Sequence, residues 1–170
     1  QRPVRRRALE AGKTVYMAVP RLREEECFLE LDPESIDDIE AAPTVSHVRE
    51  YATPVGPWDM PAVDLIVAGS VAVTEDGDRI GKGEGYSDLE FGILSAFGLV
   101  DPSTRIVTTV HEVQVIEADF PTEDHDVPMD LVVTPERVVR TDRVDDRPAG
   151  IEWGRVSSEM LDAIPILRRI

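Results

Sequence analysis

Lysine is nearly absent. Only Lys13 and Lys82 occur among the 18 basic residues of this 170-residue chain, and 34 acidic residues leave a formal charge of −16. An acidic surface served almost wholly by arginine reads as adaptation to a salty cytosol, with an ordinary acidic protein as the alternative. The same charge disfavours unassisted binding to phosphate backbones, because like charges repel unless salt or a divalent cation screens them. Cysteine occurs once, at Cys27, which excludes an intrachain disulfide and a paired-cysteine metal site and is expected to be a small core residue. The three histidines, His47, His111 and His125, fit neither HExxH nor zinc-knuckle spacing. No apolar run approaches the roughly 18 residues needed to cross a bilayer. Residues 1–7 hold four arginines but no apolar stretch of the signal-peptide kind. A soluble, cytoplasmic protein is expected, without a membrane partner. The chain begins without Met, and the expectation is a single domain over 1–170 whose upstream part is absent.

What is present is a series of short apolar runs alternating with helical stretches. Residues 4–11 suit the end of a helix stopped by Gly12, and Thr14–Val19 reads as a buried strand stopped by Pro20. Cys27–Leu31 reads as a second, shorter strand. Residues 32–62 are acidic and proline-rich, so loop is expected there, with at most a short helix at 34–40. Val63–Val67 is a further strand. Val71–Val73 and Arg79–Ile80 flank an Asp76-Gly77 turn and predict a hairpin. Leu89, Ile93, Leu94 and Phe97 recur at helical spacing, ending at Gly98. Strands follow at 105–110, 114–116, 131–133 and 138–139, with a closing helix over 158–164. Strands interleaved with helices predict an α/β fold with a mostly parallel sheet flanked by helices.

The most informative stretch is Asp78-Arg-Ile-Gly81-Lys-Gly83-Glu-Gly85-Tyr-Ser-Asp88. Glycine at every second position permits positive φ and lets the backbone approach a ligand. Ser87 and Glu90 have the spacing of a capping box, with Asp88 in the first helical turn. A loop rich in N–H groups ahead of a helix N-terminus can cradle an anion such as phosphate, and Arg79 and Lys82 add positive charge. The same pattern also reads as a tight turn with a capped helix, and an acid in the first turn favours the helix dipole without any ligand. The spacing matches neither the Rossmann fingerprint nor the P-loop.

Together with Asp64-Leu-Ile-Val67, Gly12–Arg21, Glu123-Asp-His-Asp126-Val-Pro-Met-Asp130 and Leu131-Val-Val-Thr134-Pro, this stretch resembles the 5-formyltetrahydrofolate cyclo-ligase family. The similarity runs over most of residues 10–140. It is nearest to the branch of methenyltetrahydrofolate synthetase domain-containing proteins, which share Gly-Ser-Val-Ala-Val and Gly-Lys-Gly-Glu-Gly-Tyr. The resemblance implies a fold like that of ribose-phosphate isomerases and CoA transferases, and an enzyme dependent on ATP and Mg²⁺. Arg79, Gly81, Lys82, Gly83, Glu84, Gly85, Tyr86 and Ser87 would bind the nucleotide, Lys82 and Tyr86 would be the catalytic residues, and Asp88 and Asp126 would hold Mg²⁺. The partners would be a reduced folate and ATP, with the protein a monomer or weak oligomer. Ser87 stands where the family has a second tyrosine, and Leu89 where it often has arginine. The family's basic K-x-x-L-R segment and its acid near the formyl group find no counterpart before Gly12; the Arg5-Arg6-Arg7 cluster reads equally as a solvated helix face. A second reading is therefore a non-catalytic nucleotide- or RNA-binding relative.

Outside the resemblance, Asp126 reads as a solvated loop acid and His111 as a strand-end histidine with a hydrogen-bonded ring. Trp58 and Trp153 read as aromatics that anchor loops.

Overall fold

The computed structural model describes residues 1–83, 85–141 and 147–170. Glu84, one of the expected nucleotide-binding residues, lies outside the described residues. The chain divides into two compact units, Gln1–Met60 with Val156–Ile170, and Pro61–Arg155.

In the first unit, helix α1 (Arg2–Glu10) stops where Gly12 turns to φ 71°, a conformation that glycine adopts without a Cβ clash. Strands β1 (Val15–Ala18), β2 (Phe28–Leu31) and β3 (Thr53–Val55) follow as an antiparallel sheet in that order. Leu9, Leu22, Cys27, Leu29, Leu31, Ile166 and Leu167 are buried, so Cys27 is a core residue as expected. Arg2, Arg5 and Arg6 of α1 are engaged inside this unit. Arg5 Nε donates to the Pro43 carbonyl at 3.0 Å, and Arg6 Nη1 meets Glu40 at 2.5 Å. No helix forms at 34–40. Asp32 and Asp38 instead accept hydrogen bonds from Glu34, Glu40 and Ala41 amides, closing local turns that compete with a helix. The helix of this stretch comes later and is one turn long, α2 (Val48–Tyr51). Helix α4 (Ser158–Ala163) is capped by the Ser157 hydroxyl, which accepts from the Met160 amide.

The second unit carries the α/β architecture. Strands β4 (Leu65–Ala68), β7 (Arg105–Thr109) and β8 (Leu131–Val133) pair in parallel, and β9 (Val138–Arg140) closes the sheet antiparallel, in the order β4-β7-β8-β9. The hairpin forms as expected from β5 (Ala72–Val73) and β6 (Arg79–Ile80). Gly77 sits at φ 93° in its turn, where a Cβ would lie 2.4 Å from the Met129 carbonyl oxygen. Helix α3 (Tyr86–Ala96) follows the glycine loop and ends before Gly98 at φ 68°. Its Phe91 enters a core with Val73, Ile106, Val110, Val127, Met129 and Val132. Each such side chain contributes roughly 1.5–3 kcal/mol by leaving water, so α3 is fixed against the sheet. The expected strand at 114–116 is a short 3₁₀ turn, Glu112–Gln114, followed by a single parallel bridge between Val73 and Val115.

Candidate nucleotide site

The glycine loop joins the end of β6 to the start of α3. Gly83 and Gly85 have φ of 82° and 69°, and a Cβ on either would meet nothing within 4 Å. Their backbone therefore faces open space, as a loop that admits a ligand requires. Lys82 and Ser87 are exposed and Tyr86 is half-buried. Gly85, in the left-handed conformation, is the N-cap of α3, and no side chain caps the helix. The expected Ser87–Glu90 capping box does not form, because the helix starts early enough to put Ser87 within its first turn. Asp88 does lie in that first turn.

Arg79 is directed inward, away from the loop's open side. Its Nη2 donates to Asp88 Oδ1 at 2.8 Å and its Nη1 to the Gly69 carbonyl at 3.1 Å. The Arg79 side chain is 6% exposed and that of Asp88 13%. The same Asp88 oxygen accepts the Val127 amide at 3.2 Å, so the residue after Asp126 is tied to α3. Asp126 itself accepts the Glu123 amide at 2.8 Å and lies 3.5 Å from His125 Nε2. Burial pushes the Asp126 carboxyl up, with His125 opposing and the Asp88 charge reinforcing. Burial likewise pushes Glu90 up to about 7, Arg79 opposing and Asp88 reinforcing. One buried arginine thus stands among three carboxyl groups.

That imbalance fits a divalent cation. Asp88 and Asp126 offer hard oxygen ligands, and Glu90 beside them, like Asp126 itself, is held back from ionising chiefly by burial, with the Asp88 charge reinforcing. No three His, Cys, Asp or Glu side chains among the described residues form a ready-made cage. Mg²⁺ usually takes one or two carboxylates and completes its shell with water and phosphate oxygens. The residues present fit Mg²⁺ brought with a phosphate.

Around this core, the loops at the carboxyl ends of the parallel strands are stitched together. Ser70 and Thr108 hydroxyls lie 2.8 Å apart, and Gln114 Nε2 donates to the Ser70 and Val71 carbonyls. His111 caps the 3₁₀ turn through Nδ1, which accepts the Val113 amide, so its ring is hydrogen-bonded as expected. Trp58 takes the Arg169 guanidinium 4.4 Å above its ring. Three features were missed from the residues alone: the Arg79–Asp88–Val127 contact, the burial of Glu90, and an enclosed ion pair between Asp130 and Arg147. Only the last left a trace, an aspartate directly before the apolar run of β8.

The model of the 5-formyltetrahydrofolate cyclo-ligase family matches residues 1–135. A methenyltetrahydrofolate synthase domain-containing protein of Bos taurus is 45% identical over 168 residues, covering 95% of this chain and 43% of its own length. The Homo sapiens protein of the same description is 42% identical over 173 residues, 98% of this chain and 44% of its length. A 5-formyltetrahydrofolate cyclo-ligase of Mycolicibacterium smegmatis is 30% identical over 89 residues, 49% of this chain and 42% of its own. The chain spans less than half the length of these relatives. With its glycine loop, inward arginine and paired acids inside the matched region, the chain belongs to the 5-formyltetrahydrofolate cyclo-ligase family.

Proposed function

We propose that the chain is an ATP-dependent 5-formyltetrahydrofolate cyclo-ligase, forming 5,10-methenyltetrahydrofolate with release of ADP and phosphate. The observation that carries the reading is the open glycine loop over 81–85 beside the exposed Lys82, running into the N-terminus of α3. A formamide carbonyl is a poor electrophile, and its oxygen leaves readily only once phosphorylated. The formyl oxygen takes the terminal phosphoryl group from ATP and ADP departs. N10 then attacks the activated carbon, phosphate leaves, and the ring closes. Little covalent chemistry falls to the protein, whose work is to position the reactants and neutralise charge.

In this reading Gly81, Gly83 and Gly85 present backbone N–H groups to phosphate oxygens, with Ser87 in the first turn of α3 and Glu84 kept as a further nucleotide-binding candidate. Lys82 opposes the charge that develops on the transferring group. Tyr86 stands where nucleotide and folate meet. Asp88 and Asp126 would hold Mg²⁺, which when bound neutralises phosphate charge. Such a cation also lets a chain of charge −16 accept ATP at all. The acidity itself we read as adaptation to a salty cytoplasm, as in haloarchaea. Among the described residues no helix is long and apolar enough to cross a membrane.

The test is formation of the methenyl product from 5-formyltetrahydrofolate and Mg-ATP in molar KCl. A second reading, a nucleotide- or RNA-binding relative without turnover, is favoured by Ser87 in place of a tyrosine and by the engagement of Arg5 and Arg6 within their own unit. Binding of ATP or RNA without phosphate release would distinguish it.

A further inference from the structure

Arg79 and Lys82 lie three positions apart at the glycine loop, yet their surroundings differ. Lys82 is exposed. Arg79 is enclosed and spends two nitrogens on acceptors in different segments, Gly69 after β4 and Asp88 in α3. The loop backbone lies against it, since a Cβ on Gly81 would come 3.0 Å from Nη1. Asp88 Oδ1, in turn, receives the Val127 amide. A single carboxylate oxygen therefore links β6, α3 and the segment that carries Asp126.

We propose that Arg79 is a positioning residue that acts through Asp88, setting Asp88 and Asp126 at the spacing a phosphate-bound cation needs, and that Lys82 alone of the two touches phosphate. The proposal rests on the nucleotide-site reading above. The planar guanidinium suits the task because its fork holds two acceptors in fixed directions, which an ammonium group cannot do. Gly81 belongs to the same device, since a side chain there presses on the guanidinium.

The test uses ADP as the probe, titrated calorimetrically into wild type, Arg79→Gln, Arg79→Lys and Lys82→Gln, once with MgCl₂ and once with EDTA. Exchange of the Val127 amide is followed in parallel by NMR. The Arg79 variants are expected to bind ADP in EDTA within about twofold of wild type, and to lose about tenfold or more of the gain that Mg²⁺ confers. Their Val127 amide is expected to exchange about tenfold faster. Lys82→Gln weakens ADP binding in both buffers and leaves Val127 protected. Should Arg79→Gln fail to fold, Arg79→Lys, which keeps the charge and loses the fork, gives the same readouts. An Arg79 variant that weakens ADP equally with and without Mg²⁺ overturns the proposal in favour of direct phosphate contact. So does one that retains the full Mg²⁺ gain. Wild type that binds no ADP in either buffer overturns the nucleotide reading itself, and this proposal with it, a result distinct from the other two.

Discussion

The Val127 amide donates to Asp88 Oδ1 at 3.2 Å, although the two residues are 39 positions apart. Because Arg79 donates to the same oxygen, Asp88 has a structural part beside the metal-binding one proposed for it. Asp88→Ala leaves a guanidinium enclosed without its partner, and such a loss costs about 3–5 kcal/mol. A large fall in Tm is expected for Asp88→Ala, and a smaller one for Asp88→Asn, which still accepts hydrogen bonds. Equal melting of Asp88→Ala and wild type would show that the contact carries no stability.

Lys82→Ala is the cleaner probe of the site. The side chain is exposed, so its removal is expected to change Tm by no more than about 0.5 kcal/mol equivalent. Nucleotide affinity should fall about tenfold, the worth of one charge-assisted contact. Calorimetric titration with ATP and Mg²⁺ checks this; unchanged affinity assigns Lys82 to the solvated surface.

Gly77→Ala tests the hairpin. Its φ of 93° strains any other residue, and the new methyl would sit 2.4 Å from the Met129 carbonyl oxygen, which is backbone and cannot swing aside. Strain of this kind costs about 1–3 kcal/mol before the clash is added. A Tm drop of several degrees is expected, and no drop would mean that the turn relaxes freely.

Glu90 gives the pH dependence. Burial holds its carboxyl at about 7 in the fold, against 4.5 for the ordinary group. The folded chain therefore binds more protons than the unfolded chain between those values. This contribution to stability is complete below 4.5 and is lost as pH rises through about 7, a swing of roughly 3 kcal/mol. In EDTA buffer, Glu90→Gln should remove that slope and melt above wild type at pH 8. Parallel melting curves for the two proteins from pH 5 to pH 8 would contradict the assignment.

The acidic surface predicts a Tm that rises with KCl, because added salt screens the mutual repulsion behind the charge of −16. A Tm that falls from low to molar KCl would count against salt adaptation.

Much of this was legible in the residues, for identifiable reasons. The strands around 65–68 and 131–133 are short apolar runs, and 105–109 is marked by Ile106 and Val107, both buried in the sheet. Gly12 and Gly98 marked helix ends through the positive φ only glycine adopts cheaply. The hairpin followed from its Asp-Gly turn. What failed depended on competition or on distance in sequence. The acids of 32–40 have helix-compatible neighbours, but Asp32 and Asp38 bind nearby amides instead. The Ser87–Glu90 spacing allowed a capping box, but α3 starts at Tyr86 and leaves Ser87 inside the first turn, with Glu90 half-buried. The glycine loop identified Arg79 as a cation near phosphate, but only the tertiary arrangement shows its side chain held by Gly69 and Asp88.

The proposed activity is the coupling of ATP cleavage to ring closure on a reduced folate. Its most direct measurement follows the methenyl product and ADP together, with 5-formyltetrahydrofolate and Mg-ATP in molar KCl. Equal amounts of both products are expected from wild type, with a strong loss in the well-folded Lys82→Ala variant. A folded wild-type protein that yields neither product would contradict it.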